Sequence, residues 1–387
     1  MSGSGETRLE RPFRKVLDVD ATNGSRKAAN GREGQGHLYK GGSGPRGNRK
    51  GANGRSSSRH ALPDAPCYGA LDLGTNNCRL LLARPTKSGF VIVDAFSRIV
   101  RLGEGLGNSG RLKQEAMDRT IDALRVCANK LRWHGVARKR LIATEACRLA
   151  ENGAEFIERV ANETGLALEI INRETEAMLA AAGAESLIDH QAQSAIVFDI
   201  GGGSTEVMWV ERQGSAGVVR AWISLAAGVV TLSERHGGGR DVSCDNFMAM
   251  RADVQRLLQP FISQVSEIDV QNVGPDHLLG TSGTVTTIAG VHLGLRHYDR
   301  SVVDGCWLEA ADADRVITTM RDMTYAERAR NGCIGRERAD LVLAGCAILD
   351  EIRAAFPAKR IRVADRGLRE GILSHLMKAD GHVGRRQ

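Results

Sequence analysis

Short apolar runs separated by turn residues recur between residues 68 and 100, and they predict three consecutive strands. Longer stretches with apolar residues three or four positions apart predict helices. The same succession returns in the second half of the chain. We expect strands over 68–73, 77–84 and 89–97 followed by a helix over 112–133, and then strands over 195–200, 205–211 and 217–224 followed by helices over 228–236 and 245–265.

Shorter patterns predict the remaining elements. Asn152 and Glu155, three positions apart, predict a capping box at the start of a helix that ends before Gly165. We also expect strands over 141–143, 168–171, 278–280 and 361–363, helices over 174–187, 284–293, 311–323, 337–355 and 367–378, and a loop over 296–308. Two meanders of strands, each followed by alternating helices and strands, predict an α/β protein with two related layered domains.

Two acidic, glycine-containing turns lie at corresponding places in the two halves. Asp72 opens one turn and Asp199 opens the other, 127 residues later, and the second ends at Glu206. Glycines let a backbone approach an anion and direct several N–H groups at it. The acidic residues would repel a bare phosphate, but a divalent cation between them would remove that conflict. The repeat predicts a metal-assisted phosphate site in a cleft shared by the two halves.

The positive charge of the chain belongs to its N-terminal part. Residues 1–66 hold 13 of the 53 Lys and Arg, 6 of the 46 Asp and Glu and 12 of the 45 Gly, so they account for the whole net charge of +7. Such a segment cannot bury enough apolar surface to fold, and we interpret residues 1–66 as a disordered basic segment. It is either a solvated leader or an arm that contacts nucleic acid or another polyanion.

Composition also bears on location. No apolar run approaches the ~20 residues that span a bilayer, and the first residues do not have a secretory apolar core. The eight cysteines are scattered without a C-x-x-C pair, which favours reduced thiols over disulfides or zinc. We expect a cytoplasmic protein with no membrane contact.

Six motifs, in order and spacing, resemble those of the exopolyphosphatase / guanosine pentaphosphate phosphohydrolase (Ppx/GppA) family. They span 72–79, 143–148, 174–177, 199–206, 280–284 and 364–371. The resemblance covers about 67–380 and implies two ribonuclease-H-like domains of the actin-like, sugar kinase and Hsp70 superfamily around an interdomain cleft. It places the first domain at 67–187, the second at 188–380 and a tail at 381–387. It also implies the short, two-domain form of the family and a homodimer.

The resemblance implies roles for the residues of these motifs. Glu176 matches the catalytic glutamate that orients or deprotonates the attacking water, and Arg79 and Arg148 match basic positions. Asp199, Glu206 and Asp72 are expected to hold Mg²⁺ or Mn²⁺. Three phosphate cradles are expected, formed by Gly74, Thr75, Asn76 and Asn77, by Gly201, Gly202, Gly203 and Ser204, and by Ser282, Gly283 and Thr284.

Three positions stand apart from these roles. Met178 replaces the arginine of the family's Glu-Glu-Ala-Arg segment, which puts a basic substrate contact from this helix in doubt. Glu145 falls where the family varies, and we assign it no role. Residues 367–371 are expected to pack the last helix against the cleft.

The sequence favours a Mg²⁺-dependent phosphohydrolase that acts on the terminal phosphoanhydride of inorganic polyphosphate, of guanosine pentaphosphate, or of both. Two other functions stay open at this point. One is a sugar or acetate kinase-like phosphotransferase of the same superfamily, although no late adenosine-binding motif is found over 284–350. The other is a non-catalytic sensor of guanosine tetra- or pentaphosphate, which the methionine at 178 suggests.

Overall fold

The structure, a computed structural model, describes residues 11–12, 61–62, 65–214 and 216–382. The first half contains β1 (Arg11–Pro12), β2 (Tyr68–Leu73), β3 (Asn77–Thr86), β4 (Gly89–Ile99), α1 (Leu106–Ser109), α2 (Gln114–Trp133), β5 (Arg138–Ala143), α3 (Glu145–Leu149), α4 (Gly153–Thr164), β6 (Glu169–Ile170) and α5 (Arg173–Ala184), with a 3₁₀ turn at Glu185–Leu187.

The second half contains β7 (Ser194–Ile200), β8 (Thr205–Gln213), β9 (Ala216–Leu225), α6 (Val229–Arg235), α7 (Cys244–Ile268), β10 (His277–Thr281), α8 (Ser282–His292), α9 (Arg300–Val303), β11 (Trp307–Glu309), α10 (Ala310–Asp322), α11 (Tyr325–Arg330), α12 (Val342–Ala355), β12 (Arg360–Ala364) and α13 (Leu368–Ala379).

Each half builds one sheet with the same plan. The first sheet has the strand order β4-β3-β2-β5-β6, and the second has β1-β9-β8-β7-β10-β12-β11. In both, an antiparallel meander of three strands continues into parallel strands through its first member. Apart from β1 and β11, the two orders are equivalent strand for strand. The predicted repeat of two α/β domains is confirmed.

Each sheet carries its own apolar core. One core joins the first sheet to α2 and α4, and a larger core joins the second sheet to α7, α8, α10 and α12. Helices α2, α4, α7 and α10 bury one face each, as their apolar spacing predicts, whereas α8 and α12 are buried on nearly all sides. The two sheets therefore have separate cores, one on either side of a cleft.

Two helices, α5 and α13, lie between the sheets and pack against each other. A Cβ on Gly183 would collide with the carbonyl of Gly367, and one on Gly371 would collide with the carbonyl of Leu179, so glycine is required at this crossing. Helix α13 follows the last strand of the second sheet, but its apolar face packs on the first sheet, beside Tyr68. The last helix is therefore shared between the domains rather than confined to the second.

Some local predictions are wrong. The side chain of Asn152 does not cap α4; its Oδ1 accepts from the amide of Leu112 (2.8 Å) and its Nδ2 donates to the carbonyl of Leu112 (3.1 Å). The predicted loop 296–308 contains helix α9 and the start of strand β11, and helices α1, α3 and α11 were not predicted. These elements are three to six residues long, too short for a periodic apolar pattern.

Only part of the predicted disordered segment 1–66 falls within the described residues. Arg11–Pro12 pairs antiparallel with the edge of β9. The amide of Leu62 donates to the carbonyl of Pro85 (3.1 Å), and Ala65 is buried, so the fold begins slightly before Cys67. Residues 1–10, 13–60 and 63–64 of that segment, and most of the predicted tail 381–387, lie outside the described residues.

Two compositional predictions can be compared with the structure. All eight cysteines are free, as expected from their spacing. Within the described part of the chain, no helix combines the length and apolar character that crossing a membrane needs.

Candidate active site

Two tight turns, one from each sheet, form facing walls of the cleft. Between β2 and β3, the amide of Gly74 donates to the carbonyl of Asn77 (2.9 Å). Between β7 and β8, the amide of Gly201 donates to the carbonyl of Ser204 (3.0 Å). The same hydrogen bond closes both turns, so the two predicted phosphate cradles have the same backbone construction.

The two turns contact each other at the base of the cleft. A Cβ built on Gly202 would lie 3.1 Å from the Cβ of Thr75. One built on Gly203 would lie 2.6 Å from Thr75 Oγ1 and 2.9 Å from Cγ of Glu145. These glycines let the domains approach closely, in addition to leaving backbone amides accessible to an anion.

The hairpins carry their charged residues as direct cross-strand partners. Asp72 pairs with Arg79 in the first hairpin, and Asp199 pairs with Glu206 in the second. Cross-strand partners project from the same face of a sheet, and all four side chains line the cleft. The first hairpin therefore offers a guanidinium that can bind phosphate oxygens, whereas the second offers two carboxylates that need a cation.

The third predicted cradle lies where β10 meets α8. Ser282, the first residue of α8, has a φ of 75°, and its hydroxyl donates to the carboxylate of Asp199. Gly283 and Thr284 continue into the helix, whose first amides face the cleft. A Cβ on Gly283 would lie 3.3 Å from Nη1 of Arg338, which brings another cation to this cradle.

Glu176 projects into the cleft from the first turns of α5. Asn172 caps this helix by accepting a hydrogen bond from the amide of Thr175 (2.8 Å), which fixes the register of the turn. Burial and the nearby carboxylate of Glu206 raise the pKa of Glu176 well above its ordinary value, against the opposing effect of Arg148. A carboxylate with a raised pKa is a stronger base, which suits proton abstraction from water.

Arg148 donates a hydrogen bond to Glu176 but does not line the cleft. Its Nη2 donates to Glu176 Oε2 (3.0 Å) and its Nη1 donates to the carbonyl of Ile171 (2.5 Å). Arg148 is the one predicted site residue that is absent from the cleft wall. Arg148 therefore contacts Glu176 and not the cleft wall, and a direct contact between Arg148 and substrate stays a prediction.

Glu145, to which the sequence assigned no role, is buried at the same corner of the cleft. It accepts hydrogen bonds from Arg148 and from Arg173. Burial opposes the charge on Glu145, but the bonds from Arg173 and Arg148 outweigh it and hold its pKa below the ordinary value. Of the two glutamates here, Glu145 stays charged and weakly basic, and Glu176 is the better base.

The remaining carboxylates of the cleft are buried close to one another. Burial raises the pKa of Asp72 and of Asp199. Burial, followed by the charge of Asp199, raises the pKa of Glu206 to about 7. Oε1 of Glu206 receives hydrogen bonds from the hydroxyls of Ser204 (2.8 Å) and Ser224 (2.9 Å). Such crowding favours a bound cation or a proton.

The donor set fits a loosely held magnesium ion. Among the described residues, no three His, Cys, Asp or Glu side chains converge into a complete metal site. Mg²⁺ commonly takes one or two carboxylates and completes its shell with water and substrate phosphate. Asn76 Oδ1 and Asn77 Oδ1 are buried in the first turn without a partner and add two free acceptors. The predicted trio of Asp72, Asp199 and Glu206 therefore shares the cleft without forming a closed cage.

Two arginines on the cleft wall have no counterion within bonding distance. In the described part of the chain, neither Arg79 nor Arg369 makes a hydrogen bond or ion pair, although both act through space on Asp72. Gly367 and Gly371 do pack α13 against α5, as expected for 367–371. Arg369, however, faces the cleft. Uncompensated cations in a partly buried cleft favour an anionic ligand.

Met178 does not face the cleft. It is 3% exposed and packs in an apolar cluster between α5 and the second sheet, beside Val197, Met208 and Leu279. The methionine therefore removes no contact from the cleft wall, and the basic partner of Glu176 comes from Arg148.

Two further polar contacts join the domains outside the lining of the cleft. Both terminal nitrogens of Arg101 donate to the carboxylate of Asp340, at 2.8 and 3.0 Å. The amide of Gly105 donates to Glu234 Oε1 (2.8 Å). The cavity of the cleft has a volume of about 140 Å³.

Comparison with known proteins fits this geometry. Residues 81–380, most of the chain, match the Ppx/GppA phosphatase family. The chain belongs to that family. The Ppx/GppA match begins inside β3 and ends at the residue after α13, so it includes both domains and the second and third phosphate cradles.

Relatives of known name and structure cover the same region. The chain is 29% identical to Exopolyphosphatase 2 of Mycobacterium tuberculosis, over 78% of this chain and 96% of that one. A Ppx/GppA protein of Aquifex aeolicus is 28% identical, covers 81% of this chain and 99% of its own, and superimposes with a TM-score of 0.67. An exopolyphosphatase of Cytophaga hutchinsonii, 24% identical, covers 82% of this chain and 99% of its own with a TM-score of 0.73, which shows the shared fold. The predicted actin-like fold is confirmed.

Sequence reasoning found most of the Ppx/GppA cleft. Every predicted site residue lines it except Arg148. It missed Glu145, Arg338 and Arg369. The spacing of Glu145 and Arg148, three positions apart, is a signal for an ion pair on one helix face. No local signal exists for Arg369, because its position depends on α13 returning to the first sheet.

Proposed function

We propose that this protein is an exopolyphosphatase, a Mg²⁺-dependent enzyme that hydrolyses the terminal phosphoanhydride of inorganic polyphosphate. One observation carries the proposal: a largely buried glutamate with a raised pKa, Glu176, faces a cleft walled by three phosphate cradles. Phosphoanhydride hydrolysis needs a positioned water and neutralisation of charge, and little further chemistry. The name of the M. tuberculosis relative supports the same activity.

The residues divide the work between the two domains. The turn at Gly74–Asn77 and the turn at Gly201–Ser204 approach the terminal phosphate from opposite sides through backbone amides. Arg79 and Arg369 would bind the phosphate oxygens. Glu176, held by Arg148, would orient the attacking water and accept its proton.

A magnesium ion would be held by Asp199 and Glu206, with Asp72 acting directly or through water. When bound, it supplies neutralisation of the charge on the transferred phosphoryl group. Besides burial, the charge of Asp199 contributes to the raised pKa of Glu206, about 7. A cation bound between the two carboxylates would also remove this repulsion.

The size of the cavity supports polyphosphate over a nucleotide. About 140 Å³ lies below the roughly 300 Å³ at which pockets begin to enclose drug-sized ligands. A cavity of this volume suits a terminal phosphate with its neighbour better than a nucleoside. Guanosine pentaphosphate remains a second candidate substrate that needs the Arg101–Asp340 contact to open.

The structure gives no support to the two alternative functions, a nucleotide sensor and a kinase-like phosphotransferase. The sensor function was suggested by Met178, which lies in an apolar cluster and not in the cleft. No geometry in the described cleft specifically favours a kinase. The homodimer, the cytoplasmic location and a polyanion contact by the N-terminal arm stay predictions.

A side-by-side assay tests the proposal. The purified protein, with Mg²⁺, is given long-chain polyphosphate and, separately, guanosine pentaphosphate, and released orthophosphate is measured. We expect release from polyphosphate, stopped by a chelator and restored by excess Mg²⁺. Release from guanosine pentaphosphate alone would show that this nucleotide, and not polyphosphate, is the substrate. Release from neither compound would contradict the proposed hydrolase activity.

A further inference from the structure

Glu145 stands at the centre of a charge network beside the cleft. Its Oε2 accepts from Nε of Arg148 (3.1 Å) and from the adjoining Nη2. Its Oε1 accepts from Nη2 of Arg173 (2.6 Å), and Nε of Arg173 reaches Oε2 (3.2 Å). The side chain is only 3% exposed, so these are buried charge-assisted bonds, which are shorter and stronger than neutral ones.

The network links the two segments that frame Glu176. Glu145 and Arg148 belong to α3, whereas Arg173 is the first residue of α5 and Glu176 follows three positions later. Arg148 also donates to the carbonyl of Ile171, immediately before α5. Every polar group of the Arg148 guanidinium therefore has a fixed partner, and the start of α5 is tied to α3 from both sides.

The network also divides the charge of Arg148. Two carboxylates, Glu145 and Glu176, and two guanidiniums, Arg148 and Arg173, sum to zero. Nη2 of Arg148 is shared between both carboxylates. If Glu145 were neutral, it would no longer offset the positive charge of Arg148 and Arg173 near Glu176. That positive charge would lower the pKa of Glu176 and make it a weaker base.

Glu145 also contacts the opposite domain. A Cβ on Gly203 would lie 2.9 Å from Cγ of Glu145, so the second phosphate turn rests against this side chain. The network thus has a fixed position relative to the phosphate that this turn is proposed to bind.

We propose that Glu145 is a positioning residue for the hydrolysis: it holds Arg148 in the one orientation that presents Glu176 to the attacking water. The proposal rests on the proposed function. Glu145 itself does not touch the reacting atoms. It acts on the chemical step through Arg148, so its loss lowers kcat and leaves substrate binding largely intact.

The test uses the full chain and two matched variants. Glu145→Gln keeps the volume and removes the charge. Glu351→Gln is the control, because Glu351 on α12 is also buried and bonded to an arginine, Arg251 (2.5 Å), but does not line the cleft. With polyphosphate and Mg²⁺, we expect E145Q to lose roughly ten- to hundredfold in kcat with KM within about threefold, and E351Q to keep the kcat of the wild type.

A third variant asks whether the effect passes through Arg148. In an Arg148→Met background, adding Glu145→Gln should change kcat by less than about threefold, because partners in one network are not additive. A kcat of E145Q equal to that of the wild type overturns the proposal, and so does a loss that appears in KM or that persists in the R148M background. A wild type that turns over neither substrate removes the proposed function and this role together, whereas an active wild type with an unaffected E145Q removes only this role.

Discussion

Asp199 and Glu206 are direct cross-strand partners at the end of the β7–β8 hairpin, so two carboxylates face the cleft side by side. Burial and the charge of Asp199 hold the pKa of Glu206 at about 7, above its usual value near 4.5. Between these values the folded protein binds a proton that the unfolded chain has lost, so the free energy of unfolding decreases as the pH rises.

A bound cation should offset that loss. We expect Mg²⁺ at saturating concentration to raise Tm by at least about 3 °C at about pH 8, and by less at about pH 6, where Glu206 is largely protonated. Differential scanning fluorimetry measures this, with Na⁺ at matched ionic strength as the control. Asp199→Asn should abolish the shift. An equal shift at both pH values in the wild type would contradict the role of Glu206.

The contact between Arg101 and Asp340 should control access to the cleft. The pair joins the loop after β4 to the segment before α12, and both side chains are partly exposed. Because partly exposed pairs contribute about 1 kcal/mol or less, Arg101→Gln should raise KM for polyphosphate between two- and fivefold with little change in kcat. The charge-reversed pair Arg101→Asp with Asp340→Arg should recover most of the loss. A KM that is unchanged in R101Q would show that the contact does not gate the substrate.

Arg369 should bind substrate. It faces the cleft and makes no hydrogen bond or ion pair with any described residue. Burial lowers its pKa against the through-space effect of Glu370 and Asp72, so an incoming phosphate would supply a direct partner. Arg369→Met should raise KM for polyphosphate by roughly tenfold or more, because bonds to charged groups are worth about 1.5–3 kcal/mol. Arg256→Met, on the exposed face of α7, is the control and should leave KM unchanged. Equal KM values for the two variants would show that Arg369 does not bind substrate and only packs the last helix.

Restoring the family's arginine at position 178 should damage the fold. Met178 lies in an apolar cluster, where a guanidinium would have neither water nor a partner. We expect Met178→Arg to lower the free energy of unfolding by several kcal/mol, on the order of 3, measured by urea denaturation. Met178→Leu should be close to neutral. A stable M178R protein with a lower KM would mean that this position does reach the substrate.

The sequence allowed the prediction of features that depend on local pattern. The two hairpins at 68–84 and 195–211 alternate apolar runs with glycine turns, and their strands begin and end within about two residues of the predicted positions. The acidic residues and glycines of the turns that open at Asp72 and Asp199 are close together in the sequence. A phosphate site at these turns could therefore be predicted without knowledge of tertiary contacts.

Features that depend on tertiary contacts could not be predicted. Asn152 has the spacing of a capping box, but its amide instead pairs with the backbone of Leu112, which is 40 positions away in the chain. Arg148 was expected at the substrate, and only the folded arrangement shows that Glu176 and Glu145 share it. Arg369 reaches the cleft because α13 crosses back to the first sheet at Gly183, Gly367 and Gly371.

Glu176 as the base is the central claim, and Glu176→Gln tests it most directly. The measurement is kcat for orthophosphate release from long-chain polyphosphate with saturating Mg²⁺, for E176Q and the wild type. We predict a fall of roughly 10²–10⁴-fold, the usual contribution of a general base. Tm should be unchanged or higher, because a buried charge is removed. Turnover of E176Q within tenfold of the wild type would contradict the account.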